Sequence, residues 1–216
     1  MPILLLLRHG ENDYVKAGRL AGHLPGVHLN ENGRRQAQEL ADRLGRAPIK
    51  AIYSSPLERA LETAEPLASS TNLAVIPRPG LIEADCGEWQ GRKVKGLSRL
   101  KVWKTVQFTP GLFRFPGGES FAECQARITQ ELLILAAGHE PNDLIVCVSH
   151  SDPIKLAVAY FIGLPLDMFQ RLSISTGSVS VLHLGGNNSR LLTLNLSPDG
   201  MGSLDFLKPA SHHTNE

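Results

Sequence analysis

Residues 4–12 read LLLLRHGEN, four leucines running directly into an arginine and a histidine. An apolar run this short, opened by Pro2 and closed by Gly10, suits a strand buried on both faces better than a helix. Its last residues should emerge at the carboxyl edge of a parallel sheet, where ligand sites of open α/β folds form. Arg8 and His9 are therefore expected to be displayed there for use.

Working outward, the same alternation recurs. A Gly-rich loop over 16–29 precedes NENGRRQAQELADRLG, a helix capped by Asn30 with Ala37, Leu40, Ala41 and Leu44 as its apolar stripe. AIYSS at 51–55 reads as a strand. SSPLERALETAEPLA follows as a helix with Ser55 as N-cap, Pro56 in its first position and Glu58 completing a capping box. AVIP and LIE read as short extended pieces between Pro77, Pro79 and Gly80. A long helix is expected from Glu119 to about Gly138, with Phe121, Cys124, Ile128, Leu132 and Leu135 on one face. DLIVCVSH at 143–150 is another buried strand, Asp152 and Pro153 open the next helix, and VSVLHL and LLTLNL close the chain as strands. This order predicts an α/β fold, a three-layer α/β/α sandwich around a mostly parallel central sheet. One domain over 1–208 is expected, followed by a frayed polar tail at 209–216.

Composition narrows the function classes. With 22 basic and 21 acidic residues the net charge is +1, so no general affinity for nucleic acid or an anionic membrane follows. The three cysteines, Cys86, Cys124 and Cys147, are widely spaced without a C-x-x-C pair, which argues for a reducing, cytoplasmic setting and against a structural zinc site. Neither a signal segment nor a membrane-length apolar run is legible.

Three predicted strands lead to similar chemistry. The first ends in Arg8 and His9, the second leads through Ser54 and Ser55 to Arg59, and the third ends in His150 just before a helix. Each has a bland reading alone: a surface histidine, a solvated helix arginine, a cap at Ser149–Asp152. As parallel neighbours, however, the strands would gather four cationic or potentially cationic side chains on one edge, beside two helix N-termini. That set complements a phosphate, which arginine grips in a bidentate fork. The common nucleotide-loop, zinc-protease and serine-hydrolase signatures are missing.

At this point the chain resembles the histidine phosphatase superfamily, which includes the cofactor-dependent phosphoglycerate mutases. The likeness is carried by LLRHGEN (6–12), LNENGRRQA (29–37), YSSPLERALETAEPLA (53–68), LIEADCGEWQG (81–91), FPGGESF (115–121) and VCVSHSDPIK (146–155), and it looks more like the short phosphatase branch with its phosphomutase-labelled subgroup. The resemblance implies His9 as nucleophile through a phosphohistidine, Arg8, Arg59 and His150 as the phosphate pocket, and Glu83 as proton donor. Asn12 and Val15 stand where the family often has Ser or Thr and Asn, and Ser151 where Gly is usual. Asn12 and Ser151 are carried as further phosphate- or substrate-contacting positions.

The expected chemistry is metal-independent phosphomonoester hydrolysis with no cofactor, on a small phosphorylated metabolite. A phosphomutase and a non-catalytic phosphate- or phosphoprotein-binding module are the alternatives. Nearby cations should keep His9 neutral, and a bound phosphate should raise Glu83 against the arginines that lower it. Arg92, Lys93, Lys95, Arg99, Lys101, Lys104 and Arg114 fall in 89–118 without an acidic residue, as a pocket rim or a solvated face. Trp103, Phe108, Phe113 and Phe115 would be pocket walls or core. Neither nucleic acid nor membrane is expected as a partner, and a homodimer is left open.

Overall fold

A computed structural model describes residues 2–185 and 189–201. The four leucines lie in β1 (Ile3–Arg8), each no more than 2% exposed. Then come α1 (Asp13–Lys16), α2 (Glu31–Leu44), β2 (Ile49–Ser54), α3 (Glu58–Thr71), β3 (Val75–Pro77), α4 (Val94–Leu97) and α5 (Trp103–Phe108). The chain continues through α6 (Phe121–Ala137), β4 (Leu144–Ser149), α7 (Ser151–Phe161), β5 (Val179–His183) and β6 (Arg190–Leu196). No helix among the described residues is long and apolar enough to cross a membrane.

The six strands form one sheet in the order β3-β2-β4-β1-β5-β6. β3, β2, β4 and β1 are parallel, whereas β5 runs antiparallel to both its neighbours. This central position explains the opening run. Leu5 and Leu7 pack with Leu40 and Leu44 of α2 and Leu67 of α3, while Leu4 and Leu6 pack on the opposite face with Ile128 and Leu132 of α6 and Leu156 of α7. Strand alternation thus demands apolar side chains at every position, and burying each leucine contributes about 1.5–3 kcal/mol. The three-layer sandwich and its mostly parallel sheet are as the sequence predicts. Cys86, Cys124 and Cys147 are free and buried.

Register decides where the chemistry goes. Arg8 stands opposite Ser149 at the end of the β1–β4 pair, and Ser54 opposite Val148 at the end of β2–β4. His9, Ser55 and His150 therefore leave the sheet side by side at its carboxyl edge. Ser120, rather than Glu119, caps α6, through a capping box with Glu123.

Two local expectations are corrected. α3 begins at Glu58 with Leu57 as an N-cap lacking any side-chain bond, so the Ser55–Glu58 capping box does not form. Its oxygens are engaged elsewhere: Ser55 Oγ bonds His150 and Glu58 Oε1 accepts the Gly26 N–H. LIE is extended only in part: Leu81 closes a 3₁₀ turn over Pro79–Leu81, Ile82 is extended, and the carbonyls that a strand ladder would need are taken by side chains. The expected frayed tail at 209–216 lies outside the described residues.

Candidate active site

The carboxyl edge of β2, β4 and β1 opens onto a cavity of about 260 Å³. Arg8, His9, Asn12, Arg59, Glu83 and Ser151 line it. His150 stands directly behind, fully buried, with its ring centre 5.0 Å from that of His9. The seven side chains singled out in the sequence are brought to one place.

His9 is fixed by its own backbone and by the loop after it. Its N–H donates to Ser149 O at 3.0 Å, and its Nδ1–H donates to the Gly10 carbonyl at 2.7 Å. In the neutral ring this leaves a lone pair on Nε2. The loop can do this because Gly10 lies against Gly33 of α2. A Cβ on Gly10 would fall 2.5 Å from the Gly33 carbonyl oxygen, and one on Gly33 would collide with the Glu11 backbone. Gly10 N–H also donates to Thr63 Oγ1 at 3.0 Å, tying the loop to α3.

Each arginine is anchored through one nitrogen. Arg8 Nη1 donates to Ile174 O at 2.5 Å, and Arg59 Nη2 donates to Gly22 O at 2.8 Å. Among the described residues, the buried side-chain nitrogens and oxygens without a hydrogen-bond partner are Arg8 Nε, Asn12 Nδ2, Arg59 Nε and Nη1, and His150 Nδ1. All five are nitrogens, and all belong to this site. A buried polar group left unpaired costs about 1–3 kcal/mol, more when charged, so such a cluster marks where an acceptor-rich anion belongs.

The two histidines present opposite nitrogens. His150 Nε2 meets Ser55 Oγ at 2.8 Å, which leaves Nδ1 facing Glu83, 3.9 Å from Oε2. Burial, then Arg59, pushes both rings well below the ordinary histidine range, with Arg8 adding in the same direction. Both are therefore neutral near pH 7. Glu83 is pushed up to about 7, by burial first and by Asp152 second, while Arg59 and Arg8 pull it down. Burial and Asp152 alone thus outweigh the arginines, and the rise needs no bound phosphate.

Of the positions departing from the family pattern, Asn12 Oδ1 caps α1 by accepting the Val15 N–H at 2.9 Å, leaving its Nδ2 among the unpaired nitrogens. Val15 and Ser151 both line the cavity. Ser55, Thr63, His23 and Arg127 were not legible as site residues. Ser55 reads as a helix cap in the sequence, and the others have no motif of their own; His23 Nε2–H donates to the Glu83 carbonyl at 2.7 Å.

The basic segment resolves as a solvated face. Arg92, Lys93, Lys95, Arg99, Lys101 and Lys104 are exposed, and from this segment Val94 reaches the cavity, as does Arg19 from the opposite loop. Arg114 pairs with Glu123. Phe113 and Phe115 are core, packed with Trp89 and Phe121; Trp103 stacks on Trp89, and Phe108 is 75% exposed. Among the described residues no cluster of three or more His, Cys, Asp or Glu is placed to hold a metal ion.

Comparison with known proteins places this geometry among relatives. Residues 4–197 match the sequence profile described as histidine phosphatase superfamily (branch 1). Phosphoserine phosphatase 1 of Hydrogenobacter thermophilus is 33% identical over 196 residues, spanning 90% of this chain and 92% of that protein. The 2,3-bisphosphoglycerate-dependent phosphoglycerate mutase of Thermoplasma acidophilum is 34% identical over 203 residues, with the same shares of 90% and 92%. Among solved structures, a mycobacterial glucosyl-3-phosphoglycerate phosphatase superposes with a TM-score of 0.81 at 31% identity, covering 89% of this chain and 98% of that one.

Proposed function

The chain belongs to branch 1 of the histidine phosphatase superfamily, and from that premise we propose that it hydrolyses phosphate monoesters of small metabolites, without a metal, through a phosphohistidine on His9. The observation that carries this reading is the set of five buried, unpaired nitrogens on Arg8, Asn12, Arg59 and His150, gathered around a neutral His9. In phosphoryl transfer charge spreads over the oxygens of the moving group, so catalysis rests on positioning and electrostatics. Those nitrogens supply both.

In the first step His9 Nε2 bonds to phosphorus as the bond from phosphorus to the ester oxygen breaks, and Glu83 gives that oxygen its proton. A carboxyl pushed up to about 7 is suited to the role, because it holds a proton far closer to neutral pH than an ordinary carboxylate does. In the second step water attacks phosphorus, Glu83 accepts its proton, the P–N bond breaks, and phosphate leaves. His150 bonds a phosphate oxygen through Nδ1–H. In that tautomer Nε2 is the acceptor, and the Ser55 hydroxyl 2.8 Å away donates to it. Ser151, first residue of α7, sits where a helix N-terminus favours an anion.

Besides the residues given roles above, the cavity is lined by Val15, Leu20, Ala21 and Val94, and by the charged Arg19 and Asp152, which are left to contact the rest of the substrate. Relatives are named for phosphoserine, phosphoglycerate and glucosyl-3-phosphoglycerate, so these compounds head the panel to be tried. The deciding experiment measures turnover of phosphate monoesters in EDTA for wild type and His9→Ala. Phosphate release lost in the variant supports hydrolysis. Isomerised product without free phosphate assigns a mutase, and no turnover across a broad panel defeats both in favour of a binding module.

A further inference from the structure

Every main-chain carbonyl from Gly80 to Glu83 is held by a side chain. Arg127 Nη1 donates to Gly80 O at 3.0 Å and to Ile82 O at 2.9 Å, and its Nη2 to Glu83 O at 3.2 Å. Ser149 Oγ–H donates to Leu81 O at 2.7 Å, and His23 Nε2–H reaches Glu83 O from the other side. A single guanidinium on α6 thus takes three of four consecutive carbonyls, in a stretch with no strand ladder to fix it.

The arginine is itself aimed. Its Nη2 donates to Glu119 Oε1 at 2.7 Å, the same oxygen that accepts the Asp85 N–H at 2.9 Å. Glu119 N–H in turn donates to Asp85 O at 3.1 Å, so the turn containing Pro-Gly-Gly-Glu is clamped to the residues just after Glu83. Gly87 and Gly118 allow the approach: a Cβ on either would collide with the backbone of the other loop. No Arg127 atom is on the cavity wall.

We propose that Arg127, oriented by Glu119, is the positioning residue for the general acid of the reaction proposed above, holding the 80–83 backbone so that the Glu83 carboxyl meets the leaving-group oxygen. Only a planar fork with five donors serves several carbonyls and a carboxylate at once, and lysine, a single point charge, cannot. A misplaced acid penalises substrates whose leaving oxygen needs a proton and spares those that do not. The inference rests on Glu83 being that acid, and the experiment below separates the two claims.

The test compares kcat/KM, which reports the phosphorylation step, for an alkyl phosphate and for 2,4-dinitrophenyl phosphate, whose phenolate leaves unprotonated. Wild type, Arg127→Lys, Arg127→Met, Glu119→Gln and Glu83→Gln are measured side by side. Arg127→Lys and Arg127→Met should lose about 10²-fold on the alkyl ester, the scale of general-acid catalysis, and little on the dinitrophenyl ester, repeating the Glu83→Gln pattern. Glu119→Gln should show the same selectivity at smaller size and stands in should an Arg127 variant not fold. Equal losses on both esters, or none, with Glu83→Gln still selective, would overturn the positioning role alone. An unselective Glu83→Gln would remove the acid assignment and this inference with it.

Discussion

The sheet edge and the loop that carries Glu83 hold their side chains by different means. Arg8, His9 and His150 follow directly from strand register, so β1 and β4 display them with the rigidity of a central ladder. Glu83 sits in a stretch whose carbonyls bond to Arg127, Ser149 and His23 rather than to a neighbouring strand. In the mechanism proposed above, the edge with Arg8, joined by Arg59 of α3, supplies the positive charge that any phosphate ester would use. The loop would supply a proton whose value depends on the leaving group, from a position held by side-chain bonds that a single substitution can release.

The largest effect should come from the edge. His9→Ala removes the nitrogen proposed to attack phosphorus, and kcat/KM should fall about 10⁴–10⁶-fold for every ester, activated or not. Arg59→Met removes the two unpaired nitrogens beside the cavity, with an expected loss of about 10²–10³-fold. That loss should also be independent of the leaving group, and Arg59→Lys should recover little of it. Selectivity among esters in either variant would break the division between edge and loop.

Glu83→Gln sharpens the contrast through pH. In the free enzyme Glu83 titrates at about 7, so kcat/KM on an alkyl phosphate should decline as pH rises through that value. Bound phosphate raises the carboxyl further, which moves the corresponding limb of kcat upward. In the variant both limbs should vanish, together with about 10²-fold of activity on alkyl esters. His9 is held well below its usual range, so no loss from its protonation is expected near pH 6.5.

Ser55→Ala frees His150 Nε2 from its partner. The ring can then place its proton on either nitrogen, and an activity loss of about 10-fold is expected, with ¹⁵N chemical shifts reporting a mixed tautomer. Ser55→Thr should restore both. An unchanged Nδ1–H signature in Ser55→Ala would show that something else sets the ring.

The smallest effect concerns stability. Because the folded Glu83 titrates near 7 against an ordinary 4.5, its contribution is complete below about 4.5 and lost as pH rises through about 7. Glu83→Gln should therefore raise the melting temperature by a few degrees at pH 8 and not at pH 4. Equal shifts at both pH values would mean that the carboxyl is not strained by its surroundings.

The same contrast explains what the sequence made legible. Strand ends are read from short apolar runs and their terminators, so the sequence alone places Arg8, His9 and His150, and Arg59 through the helix that follows β2. Glu83 was reached through family resemblance alone, since nothing in LIE distinguishes a strand from a turn whose carbonyls are satisfied by side chains. Ser55 was misread because a hydroxyl before Pro and Glu looks like a cap, while its real partner lies 95 residues away in sequence. Arg127 and His23 were invisible for the same reason: their bonds are long-range, side chain to backbone, and periodicity does not record them. For the basic segment at 92–104 the sequence leaves a pocket rim and a solvated face open; its charged side chains are exposed, while Val94 among them reaches the cavity.

The most direct test of a phosphohistidine on His9 is to mix wild type and His9→Ala with ³²P-labelled phosphate monoester in EDTA, quench in alkali and map the labelled peptide. Acid-labile, alkali-stable label on the peptide containing His9, absent from His9→Ala, is the result expected. Undiminished turnover by His9→Ala, or label carried by a different residue, would contradict it.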